Sequence, residues 1–195
     1  MIFVIDTSSA RSALALIDRA GKVIREEIHA SGPRFDLPGR FRAMGGRQLI
    51  KVAVATGPGS FTGVRVGVSF GLGLAMGLKI PIVPLSTLGL QAARSAEPVI
   101  ALAEAGRGRV YHLAPGSAPW LAEPRELPRG LPVVGWLRPA TEAAVIAAGL
   151  TVKPESELRA FGTAAALLLE SAREVAYGSL RLEYMQSFSA PGAPR

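Results

Sequence analysis

The chain has 195 residues, of which 49% are hydrophobic and only 19% charged. That is too apolar and too sparsely charged for a disordered polypeptide, and the length suits one domain or two small lobes sharing an interface. The absence of cysteine excludes disulfides, thiolate metal centres and thiol catalysis, and His29 and His112 alone are too few for a multi-histidine metal site. Met1–Ile5 runs straight into Asp6, without the basic start and longer apolar core of a secretory signal. The longest apolar stretch, Val66–Leu78, has 13 residues, short of the roughly 20 that span a membrane. A cytoplasmic protein without membrane contact is expected.

Ile2–Ile5 reads as a short strand ending in the polar turn Asp6-Thr7-Ser8-Ser9. Ser12–Ile17 and Lys22–His29 follow as strands joined by Asp18-Arg19-Ala20-Gly21, so two hairpins open the chain. Residues 30–47 are interrupted by Gly32-Pro33, Pro38-Gly39 and Gly45-Gly46, and only Phe41–Met44 is expected to form a short turn. Leu49–Ala55 has the β-branched character of a buried strand. The glycine-rich turn Thr56–Gly63 then leads into a long helix, Thr62–Leu78. Ile80–Leu85 is the next strand, and Ser86 is a good N-cap for a helix to about Ser95.

The second half repeats the pattern more weakly. Val99–Leu102, Arg109–Leu113 and Val133–Leu137 read as strands, with a proline-rich stretch at 114–132 between the last two. Pro139 opens and Gly149 closes a helix. Leu158, Phe161, Ala165, Leu168, Ala172 and Val175 form one apolar stripe of a further helix. The expected organisation is α/β, with an N-terminal lobe over 1–98, a C-terminal lobe over 99–188 and a frayed tail over 189–195.

Asp6-Thr7-Ser8 has two readings. A carboxylate at the end of a buried strand can hold a hydrated magnesium ion, with hydroxyls and amides for phosphate oxygens; the same residues can simply cap a tight turn. Gly57-Pro58-Gly59-Ser60-Phe61-Thr62-Gly63 sits between strand and helix, where amides favour anions. It lacks the Gly-Lys-Ser/Thr ending of a P-loop and the spacing of a dinucleotide loop, so a structural turn capped by Ser60 or Thr62 fits better. Gly63, Gly67 and Gly71 recur every four residues in the helix, as do Gly73 and Gly77. Each costs up to ~1 kcal/mol against alanine, so close approach of another backbone is the expected compensation. Either a protein partner or the rest of the fold could supply it. Arg34, Arg40, Arg42, Arg47 and Lys51 make a basic segment that suits RNA, an acidic partner or plain solvation. No nucleophile–base set, paired carboxylates or metal cluster stands out, so no catalytic residue is assigned.

Ile5-Asp6-Thr7-Ser8, Ala53–Gly63 (AVATGPGSFTG) with Val64-Arg65-Val66-Gly67, and Pro81–Leu88 (PIVPLSTL) together resemble the TsaB (YeaZ) family. Arg109-Val110-Tyr111 and Leu182-Glu183-Tyr184-Met185 echo weaker positions of that family. The resemblance implies two RNase H-like lobes of the actin-like/Hsp70-like (ASKHA) superfamily, here with a shortened second lobe. It implies a non-catalytic scaffold that pairs with TsaD, and with TsaE, for threonylcarbamoyl transfer to N6 of the adenosine beside the anticodon of tRNA. ATP and metal are then expected on the partner proteins, none on this chain, and tRNA is reached through the complex. It also implies a homodimer when the chain is alone. The interface it implies falls on the long helix, at Thr62, Gly63, Val66, Gly67, Phe70, Gly71 and Leu74. Two departures stand out: the broken segment 32–47 replaces a full helix, and Ala103-Glu104-Ala105 replaces Asp-Ala-Arg. The alternative within the same fold is an ATPase or small-molecule kinase using Asp6. A protease reading finds no triad or metal set.

Overall fold

Antiparallel hairpins build the first half of the chain, as its turn chemistry demands. In the computed structural model, which describes residues 1–45 and 48–183, β1 (Ile2–Asp6), β2 (Arg11–Ile17) and β3 (Val23–Ala30) pair antiparallel. Asp18 sets the second turn by accepting from the N–H groups of Ala20 and Lys22, each at 2.9 Å. β4 (Lys51–Ala55) and β5 (Ile82–Leu85) then add in parallel, giving the order β3-β2-β1-β4-β5. Parallel pairing needs a crossover, and α2 (Phe61–Leu78) supplies the one between β4 and β5. β1 lies at the centre of the sheet, and Phe3, Val4 and Ile5 are fully buried.

Segment 32–47 holds more structure than its glycines and prolines suggest. It contains α1 (Leu37–Met44), twice the length expected. Asp36 caps it by accepting from the Gly39 N–H at 2.9 Å, and Gly45 closes it at φ 71°. Pro38 lies in the first turn, where a missing N–H costs nothing, so the residues that read as breakers are the helix's own boundaries. Phe41 of α1 stacks 4.9 Å from Phe3 and 5.9 Å from Phe70 of α2. Gly46 and Arg47 lie outside the described residues, as do Tyr184, Met185 and the 189–195 tail.

After β5, α3 (Thr87–Ala93) leads to a second sheet of β6 (Ile100–Gly106), β7 (Arg109–Leu113), β8 (Trp120–Ala122) and β9 (Val133–Val134), ordered β8-β7-β6-β9. β8 falls inside the proline-rich stretch and was not expected. It is three residues long and forms a sheet edge between Pro119 and Pro124, the position where strand prolines are tolerated. α4 (Pro139–Ala147) follows, and Gly149 adopts φ 80° just beyond it.

The apolar stripe over 158–175 becomes a shorter helix, α5 (Phe161–Leu169). Tertiary hydrogen bonds account for the loss. Arg159 N–H donates to the Arg94 carbonyl at 2.7 Å, and Val175 N–H to the Ile82 carbonyl at 3.0 Å, so both ends of the stripe are extended. α5 packs on β2 and β3, returning the chain to the first sheet. Its unaided N-terminus is capped from β3, where Glu26 accepts from Gly162 N–H at 2.7 Å.

Between the two sheets, Arg94 at the end of α3 is only 2% exposed. It pairs with Glu155, which also accepts from Trp136 Nε1 at 3.1 Å, and its guanidinium lies 4.7 Å from the Trp136 ring centroid. The architecture is thus α/β with two sheets, the second smaller.

Candidate functional site

Three segments remote in sequence meet at Ser8. The Ser60 N–H donates to the Ser8 carbonyl at 2.7 Å, and Thr87 Oγ1 donates to Ser8 Oγ at 3.0 Å. The Thr87 N–H also reaches the Gly57 carbonyl at 2.8 Å. The two motifs at Asp6–Ser8 and Gly57–Gly63 therefore form one packed unit with the start of α3. A Cβ on Gly59 would stand 2.4 Å from the Ser8 carbonyl oxygen, so glycine there permits the contact between the turns. Ser60 caps α2 through Gly63 N–H, and Ser86 caps α3 through Gly89 N–H.

Asp6 is fully buried. Its Oδ1 accepts from the Ser8 N–H at 2.8 Å and from Ser8 Oγ at 2.6 Å, whereas Oδ2 has no partner among the described residues. Burial pushes its pKa above the ordinary 3.8, against the Ser8 bonds, which pull it down. A raised native pKa favours the protonated form, so the stability it contributes is present at low pH and is lost as the pH rises through the native pKa. Asp6→Asn keeps an acceptor for Ser8 and removes this titration. The variant is expected to gain stability relative to the parent as the pH rises above 3.8. Melting temperatures of both proteins across pH check this, and parallel profiles would refute it.

A cleft of about 1210 Å³ opens beside this unit, with Thr7, Ser9, Arg11, Ser60, Thr62 and Arg138 among its walls. Asp6 is not on it. Thr7, and not Asp6, faces the cleft, and Asp6 Oδ1 accepts from Ser8 within the turn. Glu104, at the departure Ala103-Glu104-Ala105, accepts from the Arg138 N–H at 2.6 Å and lies 3.2 Å from Arg138 Nε. His29 bonds Glu27 at 3.1 Å, and His112 is buried, which lowers its pKa. Among the described residues no three His, Asp or Glu side chains gather as a metal site.

α2 has two faces, and the expected interface residues divide between them. Gly67 and Gly71 are buried against the chain's own first sheet. A Cβ at Gly63 would lie 2.0 Å from the Thr7 carbonyl oxygen, at Gly67 2.4 Å from Thr7 Oγ1, and at Gly71 2.3 Å from Val54 Cγ1. Phe70 and Leu74 are half-buried against the core under this helix. Of the seven expected residues only Thr62 and Val66 are exposed. The opposite face was missed. Ser69, Gly73 and Gly77 are exposed at four-residue spacing, and a Cβ on either glycine would touch nothing within 4 Å. Beside them Val66 and Met76 are 47% and 53% exposed, and Phe61 and Leu78 at the two ends of the helix are 46% and 50% exposed. The signal was present as a second glycine track, Gly73 and Gly77, offset from the first. By length and hydropathy α2 could cross a membrane, but its inner glycine face is committed to the sheet.

Of the basic segment, Lys51 is half-buried on β4 and pairs with Glu174 at 2.7 Å. Arg34, Arg40 and Arg42 are exposed, and Arg40 lies 3.7 Å from Glu27; Arg47 lies outside the described residues.

Comparison with known proteins gives a consistent set of similarities. A family model described as TsaD, tRNA N6-adenosine threonylcarbamoyltransferase, matches residues 43–123. The tRNA threonylcarbamoyladenosine biosynthesis protein TsaB of Haemophilus influenzae is 33% identical over 121 residues, 56% of this chain and 51% of that protein. Bacillus subtilis TsaB is 45% identical over 71 residues, 35% of this chain and 31% of its own. A tRNA N6-adenosine threonylcarbamoyltransferase of Nitratidesulfovibrio vulgaris is 42% identical over 64 residues, covering 33% of this chain and 18% of the transferase. These matches span about half the length, or less, of the curated relatives. The structure of YeaZ from Pseudomonas aeruginosa superposes with a TM-score of 0.70 at 19% identity, over 94% of this chain and 99% of that one, and so shares the fold.

Proposed function

We propose that this chain, a member of the TsaB family, serves threonylcarbamoyladenosine synthesis on tRNA as a non-catalytic subunit that docks a TsaD-type transferase through the outer face of α2. The observation that carries the reading is that face: exposed Val66 and Met76 beside the open Ser69-Gly73-Gly77 track. Exposed apolar area of this kind marks an interaction surface, and small residues at four-residue spacing let a second helix come close. When the chain is alone, a second copy covers the same face. TsaE joins the assembly, tRNA is reached through it, and ATP and metal belong to the partners in this cytoplasmic complex.

The alternative, an ATPase or kinase using Asp6, draws no support from a carboxylate that is fully buried with one oxygen committed to Ser8.

Size-exclusion chromatography with light scattering tests the docking. Mixed with TsaD from the same organism, the chain is expected to elute as a stoichiometric complex, and alone as a dimer. Failure to form the complex, with TsaE, ATP and tRNA also present, would overturn the reading.

A further inference from the structure

The edge of the first sheet carries charge that the docking face does not use. Between Arg19 and Gly45 the chain has six Lys and Arg side chains against three acids, Glu26, Glu27 and Asp36. Each acid has an internal partner. Glu26 caps α5 through Gly162 N–H at 2.7 Å, and Asp36 caps α1 through Gly39 N–H at 2.9 Å. Glu27 takes Arg25 at 2.7 Å and His29 at 3.1 Å, with Arg40 at 3.7 Å. Arg25 also donates to the Ala43 carbonyl at 2.9 Å, which ties α1 to β3. Arg34 stands on the turn closed by Phe35 N–H to the Gly32 carbonyl at 3.0 Å, just past the end of β3. Arg42 stands in the last turn of α1. Both are exposed, and neither has an ion-pair partner among the described residues.

We infer that Arg34 and Arg42 form, with this edge, a direct contact for the phosphate backbone of a structured RNA, so that the chain itself holds tRNA. This rests on the proposed role in tRNA modification. The guanidinium fork matches phosphate oxygens in a way a single ammonium does not, and contacts of this kind position a nucleic acid without reading its sequence. The Glu27 cluster is the supporting frame: it fixes α1 against β3, leaving the two unpaired arginines outward.

The test is fluorescence anisotropy of an unmodified tRNA transcript titrated with the full chain across salt concentrations. Arg34→Glu/Arg42→Glu is expected to weaken binding at low salt, and Arg34→Ala/Arg42→Ala to make the plot of log affinity against log salt shallower by about 1.5. Both variants should keep the parent's circular dichroism, since neither side chain has an ion-pair partner among the described residues to lose, and the alanine pair should melt within a few degrees of the parent. No binding by the parent, or unchanged affinity and slope in the variants, would overturn the contact. Co-elution with TsaD separates the two claims. Unchanged co-elution with weakened tRNA binding supports the contact. Lost co-elution with unchanged tRNA binding assigns the patch to an acidic protein and overturns it. Failure of the parent to pair with TsaD would count against the docking reading alone.

Discussion

Gly63→Ala is expected to destabilise the chain by about 3 kcal/mol, the upper part of the range for overpacking a tight contact. The added methyl would sit 2.0 Å from the Thr7 carbonyl oxygen. That oxygen belongs to main chain whose next residue is pinned by Ser60 and Thr87, so it has little freedom to withdraw. Alanine's better helix propensity, up to ~1 kcal/mol, does not offset the clash. For a chain of this size the loss corresponds to a melting temperature lower by roughly 10 °C. Gly71→Leu should behave alike, because its Cβ meets Val54 at 2.3 Å and Ile5 and Val52 at 3.3 Å. Thermal melting decides the matter. A Gly63→Ala protein as stable as the parent would mean that α2 is not seated as described.

The outer glycines should respond in the opposite sense. Gly73→Gln/Gly77→Gln places two good helix formers where a Cβ meets nothing within 4 Å, so the isolated chain is expected to hold or gain stability by up to ~1 kcal/mol per site. The same bulk would keep a partner helix from closing on α2. Overpacking of 1–3 kcal/mol at such a contact corresponds to roughly a hundredfold weaker association at its upper end. The expected result is therefore a well-folded protein that no longer co-elutes with TsaD. Normal pairing by this variant would move the docking surface elsewhere, and a large loss of stability would show that these glycines are packed within the chain.

The contrast between the two glycine tracks marks how far the sequence could be read. Local chemistry was legible: the Asp18 turn, the Ser60 and Ser86 caps, and the Pro139-to-Gly149 helix each depend on residues within a few positions. The hairpins and the strand–helix alternation followed from hydrophobic patterning. What escaped depended on remote partners. Gly67 and Gly73 look alike in a one-dimensional pattern, since neither carries a side chain to reveal its face. Only Thr7, Ile5 and Val54 decide which of them is inside. Likewise Arg159 and Val175 leave the helical stripe because Arg94 and Ile82 take their N–H groups. Asp6 was a plausible ligand by position, but its burial follows from two other segments closing over the turn. α1 is hidden for a different reason: Pro38 and Gly45 look like interruptions in a linear pattern, whereas Pro38 sits in the first turn of the helix and Gly45 closes it.

The pairing of Arg94 with Glu155 bears on how quickly a partner can be recognised. Drawing Glu155 away from α3 would strip a nearly buried guanidinium of its carboxylate, which is costly for a charge with so little access to water, and would free the Trp136 indole N–H that shares that carboxylate. The free chain is thereby held close to a single shape, with little ordering left to do on contact. Association should then proceed in one kinetic phase, its observed rate rising in proportion to partner concentration without a slow rearrangement to cap it.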